Sequence, residues 1–189
     1  MISLLNELKK KYPIDERRIY ASGFSMGGIK TWDLFQEYPQ IFAALAPMGA
    51  TFDVGLNVYG KPAPVQINTS VPVPVFYSGG VLSPLPELPF QGNGCVDRVK
   101  WTLEVNRVDR AYDVCFDEQA AWENPIWGIN GDRVEKFYDA SRDSVLTVHF
   151  FTSRDGVERT AFSSVDKQGH DCREHTCEQA WRFMSRFSR

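Results

Sequence analysis

The stretch from Arg18 to Glu37 constrains the fold more than any other part of the chain. Arg18-Ile19-Tyr20-Ala21-Ser22-Gly23-Phe24 reads as a short strand. Gly27 to Glu37 reads as a helix, with Ile29, Trp32 and Phe35 on one face and Pro39 just beyond its end. Only Ser25 and Met26 separate the two, so the strand must enter the helix through one sharp turn. The flanking glycines Gly23 and Gly27 suit that turn, because strand and helix must approach closely without a Cβ between them. A turn of this kind lifts the Ser25 hydroxyl clear of the sheet and offers the backbone N–H of Met26 beside the positive end of the helix.

The next segments extend the same pattern. Ile41 to Met48 is apolar almost throughout, as expected of a strand buried on both faces in a parallel sheet. Val71 to Gly80 predicts another strand, with Pro72 and Pro74 at its entrance, where no ladder donor is needed. Val96 to Val108 suits a helix. Val145–Thr152 and Val157–Val165 flank Ser153-Arg154-Asp155-Gly156, and Asp-Gly between two β-rich runs predicts a hairpin. A final helix begins near Arg173, with Cys177, Trp181 and Met184 expected on its inner face. Asp171 and Glu174 have the spacing to cap it. An opening helix is expected from Ile2, Leu5 and Leu8, three apart. Residues 109–144 show no clear period and read as an irregular insert. Strands alternating with helices argue for a mostly parallel α/β sheet flanked by helices, locally mixed at the hairpin.

The chain has 189 residues, of which 43% are hydrophobic, enough for one domain with a real core. The net charge of -3 and the lack of a basic block give no nucleic-acid footprint. No apolar run reaches the roughly 20 residues that a membrane helix needs. The first eleven residues are too charged for a signal-peptide core, and the compartment stays open. Cys95, Cys115, Cys172 and Cys177 have no CxxC spacing, so a zinc site is not expected, and with no phosphate-binding glycine loop in the sequence no cofactor is expected; buried free thiols are the simplest reading, and two disulfides remain open.

A serine hydroxyl needs a base within hydrogen-bond reach to act as a nucleophile. His149 lies inside the apolar run Val148-His149-Phe150-Phe151, which favours a structural role. His170, in Gln168-Gly169-His170-Asp171 between the last strand and the last helix, is the candidate base, with His175 as the alternative. The acid that orients the imidazole is expected in the loop after Gly80. Glu87 is the nearest carboxylate there, followed by Asp53 and then Asp97 as alternatives. Trp122 to Trp127 either overhangs the site or packs a peripheral core.

Three segments carry a resemblance. They are Tyr12-Pro13-Ile14-Asp15 through Tyr20, then Gly23-Phe24-Ser25-Met26-Gly27-Gly28, then Phe42-Ala43-Ala44 through Met48-Gly49. Together they resemble the polyhydroxybutyrate depolymerase and feruloyl esterase group of α/β hydrolases. The chain is also similar to the catalytic domain of prolyl-oligopeptidase-like serine peptidases. The likeness resumes at Val73–Gly80 and Gly169-His170.

The resemblance implies an α/β-hydrolase fold and acyl transfer through Ser25 and His170, with Met26 supplying part of the oxyanion hole. It implies an ester substrate, small or linked to a polysaccharide, with peptide cleavage or a non-catalytic fold as alternatives. It also implies an aspartate near Ser83, where none stands, and several strands ahead of the elbow, where only 24 residues precede Ser25. On that reading the chain is a partial domain without its N-terminal strands. Weak activity and self-association through an open sheet edge are then expected.

Overall fold

In the computed structural model, residues 1–51, 53–56, 60–62, 67–109 and 126–189 are described. They form a mixed α/β structure, with four α-helices and one six-stranded, mostly parallel sheet. The helices are α1 (Ile2–Lys11), α2 (Met26–Glu37), α3 (Asn93–Val105) and α4 (Glu174–Met184). The strands are β1 (Tyr20–Phe24), β2 (Ala44–Met48), β3 (Val75–Gly80), β4 (Arg133–Asp139), β5 (Ser144–Thr152) and β6 (Glu158–Val165). Their order across the sheet is β1-β2-β3-β6-β5-β4. The pairs from β1 to β6 are parallel, and β6-β5 and β5-β4 are antiparallel.

The centre of the sheet is apolar on both faces, where helices cover it. Trp32, Phe35, Leu45, Val75, Tyr77, Val99 and Leu103 pack on the side of α2 and α3. Ala44, Ala46, Phe76, Val148 and Ala161 face α4, against Ala180, Phe183 and Met184. The alternation along β2 and β3 delivers successive residues to opposite layers. Every residue of both strands is buried, as the apolar run ahead of Gly49 requires. Pro72 and Pro74 lie just ahead of β3, and the Pro74 carbonyl accepts from Leu45 N–H at 2.9 Å.

Several expectations need correction. The inner face of α4 is Thr176, Ala180, Phe183 and Met184, while Cys177 is exposed and Trp181 is 55% exposed. The phase is set by Phe183, whose ring meets those of Phe76, Phe150 and Phe187. Trp181 turns outward and meets Tyr20 edge-on. The residue before α4 is Arg173, and no side chain caps the helix, so Asp171 and Glu174 form no capping box. Helix α3 begins three residues ahead of the expected Val96 and ends at Val105. The buried Asn106 after it accepts from Val73 N–H at 2.8 Å and donates to Thr160 Oγ1 at 2.8 Å. In α1, Ile2 and Leu5 lean on the core, but no residue is fully buried.

The hairpin forms as the Asp-Gly turn predicts, with Gly156 at φ 82° and Ser153 N–H bonded to the Val157 carbonyl at 2.9 Å. Within the supposedly irregular insert lies the edge strand β4. Its half-buried positions include Arg133, Glu135 and Asp139, so no apolar alternation betrays it. Charge on an edge strand discourages pairing with other chains. The Arg133 guanidinium lies 3.8 Å above the Phe150 ring and spans β5 to reach Glu158 through two bonds, of 2.9 and 2.8 Å.

That bridge holds the Glu158 carboxyl below its usual range, first through the Arg133 hydrogen bonds, against a smaller effect of burial. A folded-state pKa below the unfolded value stabilises the fold above the unfolded pKa, and the gain is lost as pH falls through the folded one. Glu158→Gln therefore lowers stability at pH 7 by about 1 kcal/mol or less, the scale of a partly exposed ion pair. Urea melts at pH 7 and pH 3 check this: the gap between variant and parent shrinks at the lower pH.

Candidate functional site

Ser25 closes β1 and opens α2. Its φ of 55° and ψ of -119° lie where L-residues rarely sit, a strain of roughly 1–3 kcal/mol. Its N–H donates to the Met48 carbonyl at 2.9 Å, and its own carbonyl accepts from Ile29 N–H at 3.0 Å. The turn is thus pinned to β2 on one side and to the first turn of α2 on the other.

The glycines divide their work differently from the sequence expectation. A Cβ on Gly23 would lie 2.4 Å from the Gly27 carbonyl carbon and oxygen. One on Gly28 would lie 2.4 Å from the Met48 carbonyl oxygen. One on Gly27 would meet nothing within 4 Å. The close approach of helix to sheet falls on Gly28, and Gly27 contributes its backbone. A Cβ on Gly49, at φ 64°, would lie 2.2 Å from the Phe24 ring, which itself packs against the His170 imidazole at 4.7 Å between centroids.

Three parallel strands, β1, β3 and β6, end on the same side of the sheet, where open α/β sheets place their sites. Ser25 follows β1, Glu87 lies in the loop after β3, and His170 lies in the turn after β6. The structure brings these three together. His170 Nε2 is 2.8 Å from Ser25 Oγ, and His170 Nδ1 is 2.6 Å from Glu87 Oε1.

Glu87 has no exposed surface and is surrounded by donors. Gly80 N–H donates to Oε2 at 2.7 Å, and Ser83 Oγ donates to Oε1 at 2.6 Å. Ser83, where the resemblance implied an aspartate, therefore supports the glutamate four residues on. Gln91 Oε1 accepts from the N–H groups of Glu87 and Leu88, and Gln91 Nε2 donates to the Ser83 carbonyl. Tyr77 donates its hydroxyl to the Glu87 carbonyl at 2.6 Å. A Cβ on Gly79 would press on Glu87 Cβ at 3.0 Å, and one on Gly80 would strike the Gly169 carbonyl at 2.4 Å. The glycine pair ending β3 thus lets both the acid loop and the histidine turn close on the strand.

With the carboxylate accepting from every side, Nδ1 of His170 carries its proton and Nε2 is left to accept from the Ser25 hydroxyl. Both ring nitrogens are then engaged, which leaves none for Asp53 or Asp97. Asp53 stands at the start of α3, its Oδ1 beside Gly94, and Asp97 is exposed on that helix. His175 faces Asp139 at 3.5 Å instead of Ser25, and burial holds its pKa below the ordinary value. His149 accepts from Gly131 N–H at 3.3 Å on Nδ1, a structural role, and burial lowers its pKa too.

Met26 is the first residue of α2, so its N–H has no partner within the helix, and its side chain is 67% exposed. Trp127 does not overhang the site. It is fully buried and stacks on Phe162, with Tyr77 edge-on to it. Trp122 and Cys115 lie outside the described residues. Among the described residues no group of three His, Cys, Asp or Glu side chains is placed to hold a metal ion.

No family model matches the chain. A stretch of 77 residues is 36% identical to a bifunctional acetylxylan esterase/xylanase from Neocallimastix patriciarum. The stretch covers 41% of this chain and 10% of that protein, so the chain spans only a small part of the relative it matches.

The glycine geometry yields a contrast. Gly28→Ala should destabilise the fold by about 1–3 kcal/mol, the scale of overpacking. Gly27→Ala should leave the melting temperature within a few degrees of the parent. Thermal melts of the two variants check both.

Proposed function

We propose that the chain is a serine hydrolase of the α/β-hydrolase type that cleaves carboxylic esters through an acyl-enzyme on Ser25. The observation that carries this reading is the continuous hydrogen-bonded line from Ser25 Oγ through His170 to the buried Glu87 carboxylate. The likeness to an acetylxylan esterase/xylanase supports an ester-cleaving hydrolase and makes acetyl groups on xylan the first substrate class to test. A feruloyl or other aryl preference would need an aromatic wall over the site, and the buried Trp127 supplies none.

The chemistry follows from the geometry. Ser25 Oγ attacks the ester carbonyl as His170 Nε2 takes the hydroxyl proton. Glu87 holds the ring in the required tautomer and stabilises the imidazolium. The oxyanion forms beside the Met26 N–H at the positive end of α2, where one such donor typically lowers the barrier by about 3 kcal/mol. His170 then passes its proton to the leaving alcohol. Water, deprotonated by the same nitrogen, releases the acid and restores Ser25.

The test is hydrolysis of p-nitrophenyl acetate and of acetylated xylan. The parent releases acetate from both. Ser25→Ala and His170→Ala each lower kcat by at least about 1,000-fold, and Glu87→Gln by a comparable order. Equal turnover by the parent and Ser25→Ala would overturn the proposal. Cleavage of a peptide anilide in preference to either ester would move it to amide substrates.

A further inference from the structure

Two cysteines stand apart from the ester-cleaving reading. Free cysteines usually lie buried, as Cys95 does here. Cys172 and Cys177 are both exposed, and their sulfurs face each other at 3.5 Å. Cys172 lies two residues beyond His170, and Cys177 lies in the first turn of α4, where its N–H bonds to the Arg173 carbonyl at 3.2 Å.

Side-chain hydrogen bonds position the turn beside the pair. Arg173 donates to Ser144 Oγ at 2.7 Å and to the Lys167 carbonyl at 2.9 Å. Gln168 Nε2 donates to the Asp171 carbonyl at 2.8 Å. These bonds hold the turn against β5 and leave both thiols on its outer side. From 3.5 Å, side-chain rotation must bring the sulfurs to about 2.05 Å for a bond.

We propose that Cys172 and Cys177 are an oxidation site that closes into a disulfide, stapling the turn that carries His170 to the start of α4. Two thiols lose two protons and two electrons, and one S–S bond forms. The electrons pass to a small disulfide oxidant such as oxidised glutathione, which leaves as two thiol molecules. Access is open: Cys172 lines a cleft of about 530 Å³ together with Tyr138, Arg142 and Glu178. Burial, and then the neighbouring Cys177 thiol, push the Cys172 pKa up to about 11. The thiolate is the attacking form, so closure is faster at alkaline pH.

The staple acts on position, since neither sulfur touches Ser25 or the ring of His170 in the bonds that define the site. It closes only a short loop, and its effect is therefore local: the turn from Gly169 to Thr176 loses freedom while the sheet is unaffected.

The experiment incubates the whole chain with oxidised glutathione, caps remaining thiols with N-ethylmaleimide and digests it with trypsin without reduction. Trypsin cuts after Lys167, Arg173 and Arg182, so the staple appears as peptide 168–173 joined to peptide 174–182. That joined species is expected, and reduction should abolish it. Amide exchange in residues 169–176 is expected to slow at least threefold on oxidation in the parent and not in Cys177→Ser. Separate capped or glutathione-bearing peptides would overturn the proposal, as would a bond from either cysteine to Cys115. A joined species without slower exchange would overturn the stapling role.

Discussion

Burying the Glu87 carboxylate is the constraint around which this end of the sheet is organised. A carboxylate without exposed surface is costly unless every lone pair finds a donor. Here the donors come from three places: the Gly80 backbone, the Ser83 hydroxyl and the His170 ring. Each must approach within bonding distance, and the absence of Cβ atoms at Gly79 and Gly80 is what lets the two loops close on β3. Gln91 ties the acid loop to itself, which holds Glu87 through bonds that do not involve His170. The histidine is then held by the carboxylate on one nitrogen, by the Phe24 ring on its face, and by Ser25 on the other nitrogen.

The strained elbow answers the same requirement from the other side. Ser25 sits at a positive φ because β1 must become α2 with almost no intervening chain. The cost is carried by the packing of α2 on β1 and β2 and by the bond from Ser25 to Met48. Site and core are therefore one problem. Gly28 serves the packing of the helix, and that packing fixes where the serine hydroxyl points.

The sequence made the strand-turn-helix unit, the buried β2 and β3, and the hairpin legible, because each has its own local signal. The meeting of Ser25 with His170 was legible because one follows a strand at a glycine turn and the other is the one histidine in a suitable loop. Glu87 was only the first of three candidates. Its contact with His170 depends on how residues 81–86 fold back on the end of β6 and the turn after it, where Val81 N–H bonds to the Val165 carbonyl and Leu82 N–H to the Gln168 carbonyl, and no local pattern encodes that. Strand β4 was hidden because its half-buried face carries Arg133 and Glu135, paired only in three dimensions with each other and with Glu158. The face of α4 was misread by one residue, since a stripe through Cys177, Trp181 and Met184 is nearly as apolar as the true one. Only the ring cluster around Phe183 distinguishes them.

Fluorophosphonate labelling tests the central claim most directly, because the probe reacts only with a serine whose hydroxyl proton has somewhere to go. One label, on Ser25, is expected to form rapidly in the parent and to be lost in Ser25→Ala and His170→Ala, with slower labelling in Glu87→Gln. A folded parent chain that takes up no label, or one labelled at another serine, would contradict it.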